Sequence, residues 1–279
     1  MDEIVTNNTE LSEEDLALLD EVLAEVHEES KEVLKPNSKT LLIDETSSRF
    51  SSATWFDEIS KQTVTLAGLG GIGSYTAFLL GRLKVARLCL YDDDIVDATN
   101  LSGQLYSNGD VGYLKTQSTY EKIKNYCNYY SLITCDTKFG NTSPASDIMI
   151  CGFDNMSARR LFFHRWRSHV NTLPREKRDN CLYIDGRLAA EEFQVFCIKG
   201  TDTYLMDKYD RKWLFDDSEA EETLCSYKQT SFCANMIASV MVNLFVNFVA
   251  NKCKPLVERE LPFYTSYDAE RMYFKTEIV

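Results

Sequence analysis

From residue 63 onward, short apolar runs and amphipathic stretches take turns along the chain. The run "TVTLA" at 63–67, and those at 86–91, 132–136, 147–151, 181–185 and 193–198, have the length and the β-branched or aromatic content of buried strands. Residues 72–83, 114–127, 157–170 and 231–251 instead space their apolar positions three and four apart, which predicts helices. This alternation predicts an α/β fold, Rossmann-like and doubly wound, with a mostly parallel sheet and helices on both faces. In such a sheet, ligands bind beyond the carboxyl ends of the strands.

The flanks follow other patterns. Leu16, Leu19, Leu23 and Val26 step along residues 11–34, and Ser12 with Asp15 fits a capping box. An acidic amphipathic helix is expected there, laid on the body, on a second subunit or on a partner. Pro36, Asn37 and the serines up to residue 60 predict a linker and then a short ordered element. Residues 1–46 are thus taken as an acidic helical extension, 47–255 as the main domain and 256–279 as an aromatic tail that adds an edge strand or meets a partner. The polar, acidic stretch 200–230 is expected to be a long functional loop.

Charge and cysteines narrow the partners. Of the net charge of −13, residues 1–34 carry −11, from twelve Asp/Glu against one Lys, so the body is nearly neutral. A nucleic-acid phosphate partner would call for a basic face, so a protein or small-molecule partner is expected and no nucleic acid. "MDEIVTNNTE" has no basic and apolar secretion signal, and no uncharged run of membrane-spanning length is expected, which predicts a soluble, cytoplasmic chain without a membrane partner. The nine cysteines are an odd number without C-x-x-C spacing, so reduced thiols are expected, with neither a disulfide framework nor a zinc site.

The candidate chemistry begins at "GLGGIG", residues 68–73. Gly68, Gly70 and Gly73 fit G-x-G-x-x-G and Gly71 adds a fourth glycine. Missing Cβ atoms allow a tight turn and bring phosphate oxygens to the amides of a helix start, though glycines also serve packing alone. Asp92 ends the second strand about where a ribose hydroxyl would lie. To this point a dinucleotide and ATP fit equally well.

The following motifs separate them. Asn100-Leu101 with Gln104, Val111-Gly112 with Lys115, and Asp154-Asn155 with Arg159 beyond, read after the glycine turn and Asp92 with Asp94, resemble the ThiF/MoeB family of adenylating enzymes, relatives of the ubiquitin-activating enzymes. The resemblance spans about residues 47 to 250. It implies an adenylyltransferase that uses ATP and Mg²⁺ to activate a carboxylate, with the C-terminus of a small ubiquitin-like or sulfur-carrier-like protein as substrate and a homodimer as the assembly. It further implies that Gly68, Gly70, Gly71, Gly73, Asp92, Asp94, Asn100, Gln104, Lys115 and Asn155 hold the nucleotide. Lys115 would meet the phosphates as a point charge, or else be a solvated lysine at a helix start. Asp154 would hold Mg²⁺ through its hard carboxylate oxygens, or else cap a helix.

Two departures bear on activity. Gly103 stands where the family pattern has arginine, and Ser52 replaces the second arginine of an N-terminal Arg-aromatic-x-Arg, leaving Arg49 as the candidate trans-acting arginine. Cys225 corresponds to the family's transfer cysteine, with Cys233 second, although a plain loop cysteine also fits. The alternatives are a scaffold subunit that has lost catalysis, activation of a small-molecule carboxylate, and an NAD-dependent oxidoreductase, which Lys115 and Asp154-Asn155 disfavour.

Overall fold

The computed structural model describes residues 47, 49–216 and 229–278. The acidic helix expected over 11–34, the linker before residue 47 and the candidate Cys225 lie outside the described residues.

Five parallel strands come first in the sheet. These are β1 (Thr63–Ala67), β2 (Arg87–Tyr91), β3 (Leu132–Cys135), β4 (Ile148–Cys151) and β5 (Leu182–Ala189). β6 (Glu192–Lys199), β7 (Tyr264–Asp268) and β8 (Tyr273–Glu277) add on in antiparallel fashion. The spatial order is β3-β2-β1-β4-β5-β6-β7-β8, so the chain reverses direction across the sheet between β1 and β4. That crevice, at the carboxyl ends of β1 and β4, is where a doubly wound sheet receives a ligand.

Helices cover both faces. Helix α1 (Phe56–Ile59) precedes β1, and α2 (Gly71–Leu83), α3 (Lys115–Cys127) and α4 (Met156–Thr172) follow β1, the loop after β2, and β4. Strand side chains alternate between two cores. Val64, Leu66, Ile148, Ile150, Leu182 and Ile184 pack with α2, α3 and α6 (Ser231–Lys252), whereas Met149, Cys151 and Tyr183 pack with Phe162, Phe163 and Trp166 of α4. A strand buried on both faces becomes a continuous apolar run, which is why β1 and β4 were readable from pattern alone.

Three expectations are corrected. First, residues 203–213 form helix α5 (Thr203–Trp213) rather than loop; Asp202 caps it by accepting from the Leu205 amide at 3.0 Å, and Leu205, Met206 and Tyr209 are buried. Its few apolar positions were masked by the charged residues among them. Second, residues 229–251 hold no charged side chain, so a run of membrane-spanning length does exist, and α6 is long and apolar enough to cross a membrane. Here α6 buries Ile237, Met241, Phe245 and Val249 in the core and exposes Asn235, Ser239 and Asn243 along a polar stripe. Third, β5 runs through Gly186 and Arg187 to Ala189 instead of stopping at Asp185.

Candidate functional site

Gly68 leaves β1 with φ +83°, a conformation that favours glycine, and a Cβ there would lie 2.7 Å from the Gly152 carbonyl carbon in the turn after β4. Gly73 and Gly152 lock into the same contact, since a Cβ on Gly73 would overlap the Gly68 carbonyl oxygen and one on Gly152 would come within 2.7 Å of it. Packing therefore accounts for three glycines. It does not account for Gly70, where an added methyl would meet nothing nearer than Gln104 Nε2 at 4.0 Å. The open space lies at the start of α2, whose N-cap is Gly70 and which has no side-chain cap, so the positive end of the helix faces it unscreened.

The segment after β2 closes over this turn. Asp92 Oδ2 accepts the Leu69 amide at 2.6 Å and Oδ1 the Asp94 amide at 2.9 Å. Burial raises the Asp92 pKa, against the opposing pull of the Leu69 amide and of Lys115. Farther on, Tyr106 Oη donates to the Leu69 carbonyl at 2.7 Å and the Leu105 amide to Ser74 Oγ at 3.0 Å, which brings Gly103 and Gln104 against the glycine turn. Gln104 Oε1 is buried with no hydrogen-bond partner among the described residues. A buried orphan acceptor beside open space is what a ligand hydroxyl or a bound water would satisfy.

Asn100 serves its own turn first. Its Oδ1 accepts the Asp97 amide at 3.0 Å, reciprocating the Asp97 side chain that caps residues 98–102. Lys115 opens α3 with its side chain almost covered (7% exposed) and its ammonium paired with Asp94 Oδ2 at 2.8 Å, while the Asp94 side chain is 64% exposed. The lysine is therefore not a solvated one. A covered cation paired with an exposed carboxylate can trade that partner for a phosphate oxygen.

At the end of β4 the two acidic-amide neighbours divide the work. Asn155, not Asp154, caps α4, accepting the Ala158 amide at 2.8 Å and Ser157 Oγ at 2.9 Å, and its Nδ2 donates to Asp154 Oδ1 at 3.3 Å. Asp154 is left exposed at the mouth of the crevice. Capping thus fails to explain Asp154, and its carboxylate suits a hard cation that also takes phosphate oxygens.

Residues 45–277 match the ThiF family across most of the chain. The chain belongs to the ThiF family. Ubiquitin-like modifier-activating enzyme 5 of Culex quinquefasciatus is 28% identical over 121 residues, an alignment that covers 37% of this chain and 30% of that protein. The chain thus spans less than a third of the length of that curated relative. Among solved structures, PaaA superposes with a TM-score of 0.64 at 16% identity, over 96% of this chain and 83% of its own. Escherichia coli MccB, solved with ATP, gives 0.56 at 16% identity, over 80% and 65%. These likenesses extend the ThiF fold to both halves of the sheet.

Within this ThiF chain, the glycine turn, Asp92, Asp94, Gln104, Lys115 and Asp154 gather at one end of the parallel strands. Arg49 does not join them. Its neighbour Phe50 stacks on Trp55 and meets Phe56 edge-on, and the Thr54 carbonyl meets Cys253 Sγ at 3.4 Å, just past the carboxyl end of α6. Helix α6 begins beside the glycine turn and its 22 residues are about 33 Å long. Arg49 therefore lies near the end of α6 that is remote from the glycine turn of its own chain. Cys233 is buried in the first turn of α6, where burial pushes its thiol up, a poor setting for a nucleophile.

Sequence reasoning missed a buried charge cluster behind the crevice. Arg159 Nη1 meets Asp185 Oδ1 and, at 2.9 Å, the Gly186 carbonyl, while Nη2 meets the Phe153 carbonyl. Arg187 Nε and Tyr209 Oη both donate to Asp185 Oδ2 at 2.8 Å. Asp185 would be raised by its burial, yet Arg159 and Arg187 outweigh this and hold it below the ordinary carboxylate value. The signal was present as "YIDGRL", an apolar strand carrying an acid and a base two residues apart, which is costly unless paired. Gln229 was missed as well, because nothing in the sequence places it beside residue 71.

Proposed function

We propose that this chain adenylates a carboxylate, the C-terminal carboxylate of a small protein or peptide, with ATP as co-substrate. The observation that carries this reading is the crevice between β1 and β4, where the unfilled space at Gly70 meets the start of α2, without a side-chain cap, the exchangeable Lys115–Asp94 pair and the exposed Asp154. The relatives add support, being named as activating enzymes of ubiquitin-like modifiers, as does MccB, solved with ATP and with MccA.

In the reaction, a carboxylate oxygen of the substrate attacks the α-phosphorus of ATP. The bond from that phosphorus to the bridging oxygen breaks, and acyl adenylate and pyrophosphate form. The attack needs no proton transfer from the protein, so the protein's task is alignment and charge neutralisation. Asp92 lies where the ribose would be and Lys115 turns from Asp94 to the phosphates. Asp154 would hold Mg²⁺, which when bound neutralises charge on the phosphate oxygens. In the same reading, Cys225 takes the acyl group as a thioester with release of AMP, and the far-end position of Arg49 suits an arginine delivered to the site of a second copy in a homodimer.

The test is exchange of labelled pyrophosphate into ATP, dependent on Mg²⁺ and on an added candidate carrier protein or peptide. Substrate-dependent exchange is expected. ATP binding without exchange for any carboxylate substrate would favour the scaffold reading, which rests on Gly103 and Ser52.

A further inference from the structure

Gly103 leaves a slot, and the structure fills it from the other half of the chain. A Cβ on Gly103 would come within 2.8 Å of both Cγ and Nε2 of Gln229, and a Cβ on Gly71 would overlap Gln229 Oε1 and lie 2.7 Å from Cδ. The carboxamide of Gln229 is thus wedged between the first residue of α2 and the turn at Gly103. Nothing in the backbone of Gly103 demands glycine, since its φ of −131° and ψ of −13° are open to any residue. The glycine is there for room.

The backbone fixes Gln229 in this slot. It bridges to Ala190 at the β5–β6 turn, and the next amide, Thr230, donates to the Ala190 carbonyl at 3.3 Å. Thr230 is the N-cap of α6 and, like Gly70 on α2, gives no side-chain cap. Two uncapped helix starts, of 13 and 22 residues, therefore meet around one carboxamide. Both present amide donors and the positive end of a dipole, and neither has a side-chain cap among the described residues. The Gln229 side chain is half-buried and makes no hydrogen bond with another described residue.

We infer that Gln229 is a phosphate-contacting residue of the nucleotide site, its Nε2 donating to a phosphate oxygen of ATP from the slot that Gly103 and Gly71 keep open. It supplies as a neutral donor what a guanidinium rooted at position 103 would supply as a charged one, and the two cannot coexist. This assignment rests on the ATP reading of the crevice and deepens it by naming a contact from the carboxyl-terminal half of the chain.

The test is equilibrium binding of ATP and of adenosine, without a second substrate, to the full chain and to Gln229→Ala, Gln229→Glu, Gly103→Arg and the double variant Gly103→Arg with Gln229→Ala, with the thermal midpoint of each as a folding control. Losing a hydrogen bond to a charged oxygen should weaken ATP binding about tenfold in Gln229→Ala. Gln229→Glu, of the same shape but opposed to phosphate, should weaken it more, and neither should move adenosine. Gly103→Arg alone should bind ATP poorly because its side chain collides with Gln229, and the double variant should recover at least wild-type affinity. ATP affinities of the Gln229 variants within twofold of wild type would overturn the assignment while leaving the ATP reading intact. Tighter binding by Gln229→Ala would overturn it too, making Gln229 a plug. A wild-type chain that binds adenosine and ATP equally weakly would remove the nucleotide reading itself.

Discussion

Two cation–carboxylate clusters sit within one crevice wall of each other and do opposite jobs. Lys115 pairs with an Asp94 that is 64% exposed, whereas Arg159 and Arg187 share an Asp185 that is fully buried and further held by Tyr209. Water at Asp94 screens the first pair, so a polyanionic phosphate chain can displace Asp94 from the lysine. No such exchange is open to the second cluster, because every oxygen of Asp185 is engaged and removing it would strand two buried guanidinium groups. The first suits the ligand binding proposed for it, and the second fastens the turn after β4 to β5 and α5, beside Asp154.

The largest effect that could break this comparison is on Asp185. Asp185→Ala leaves Arg159 and Arg187 uncompensated and should destabilise the fold by about 3–5 kcal/mol, read by denaturant unfolding. A loss below about 1 kcal/mol would mean that the cluster is dispensable. Acid offers an independent check. Asp185 is held below its ordinary value of 3.8, so the native state binds fewer protons there than the unfolded chain. Its contribution is complete above the unfolded value and fades as pH falls through the lower folded one. The stability gap between wild type and Asp185→Asn should accordingly narrow as the pH drops below about 3.8.

At the exchangeable pair, Lys115→Ala should weaken ATP binding by about 10- to 100-fold, the loss of a charged donor, while the unfolding midpoint stays nearly fixed. Unfolding that fell as far as in Asp185→Ala would make the lysine a structural residue like Arg159. Asp154→Asn sharpens the same line. It should leave ATP binding without Mg²⁺ unchanged and abolish most of the tightening that Mg²⁺ brings, measured by paired titrations. Equal Mg²⁺ dependence in variant and wild type would take Asp154 out of the metal's reach.

The same contrast explains what could be read from the chain. The parallel half was legible because β1 and β4 are apolar on both faces and their ends carry ordered motifs, so Asp92, Lys115 and Asp154 could be named as candidates from the sequence. The antiparallel half was not, since α5 buries Leu205, Met206 and Tyr209 amid charged neighbours and β5 carries Arg187 inside a strand. Hydrophobic pattern alone does not show that Arg187 is buried, because the partners that complete its cluster, Arg159 of α4 and Tyr209 of α5, come from other elements. Gln229 escaped for a related reason. Its neighbours Gly71 and Gly103 are more than a hundred residues away, and two missing side chains leave no mark in periodicity. The helix cap falls on Asn155 rather than on Asp154, for which it was the alternative, a difference of one residue and within the usual uncertainty of a helix start.

The smallest effect is the most discriminating. Asp94→Asn removes the carboxylate that competes with phosphate for Lys115, at a cost to stability under about 1 kcal/mol because the Asp94 side of the pair is open to water. If Asp94 only parks the lysine, ATP affinity should rise a few-fold at low salt and the gain should shrink as salt screens the pair. If Asp94 itself meets the nucleotide, as its place in the ThiF pattern implies, affinity should fall instead. Titrating ATP into wild type and Asp94→Asn at two ionic strengths separates these outcomes, and a fall would mean that the exposed partner belongs to the ligand as much as the buried lysine does.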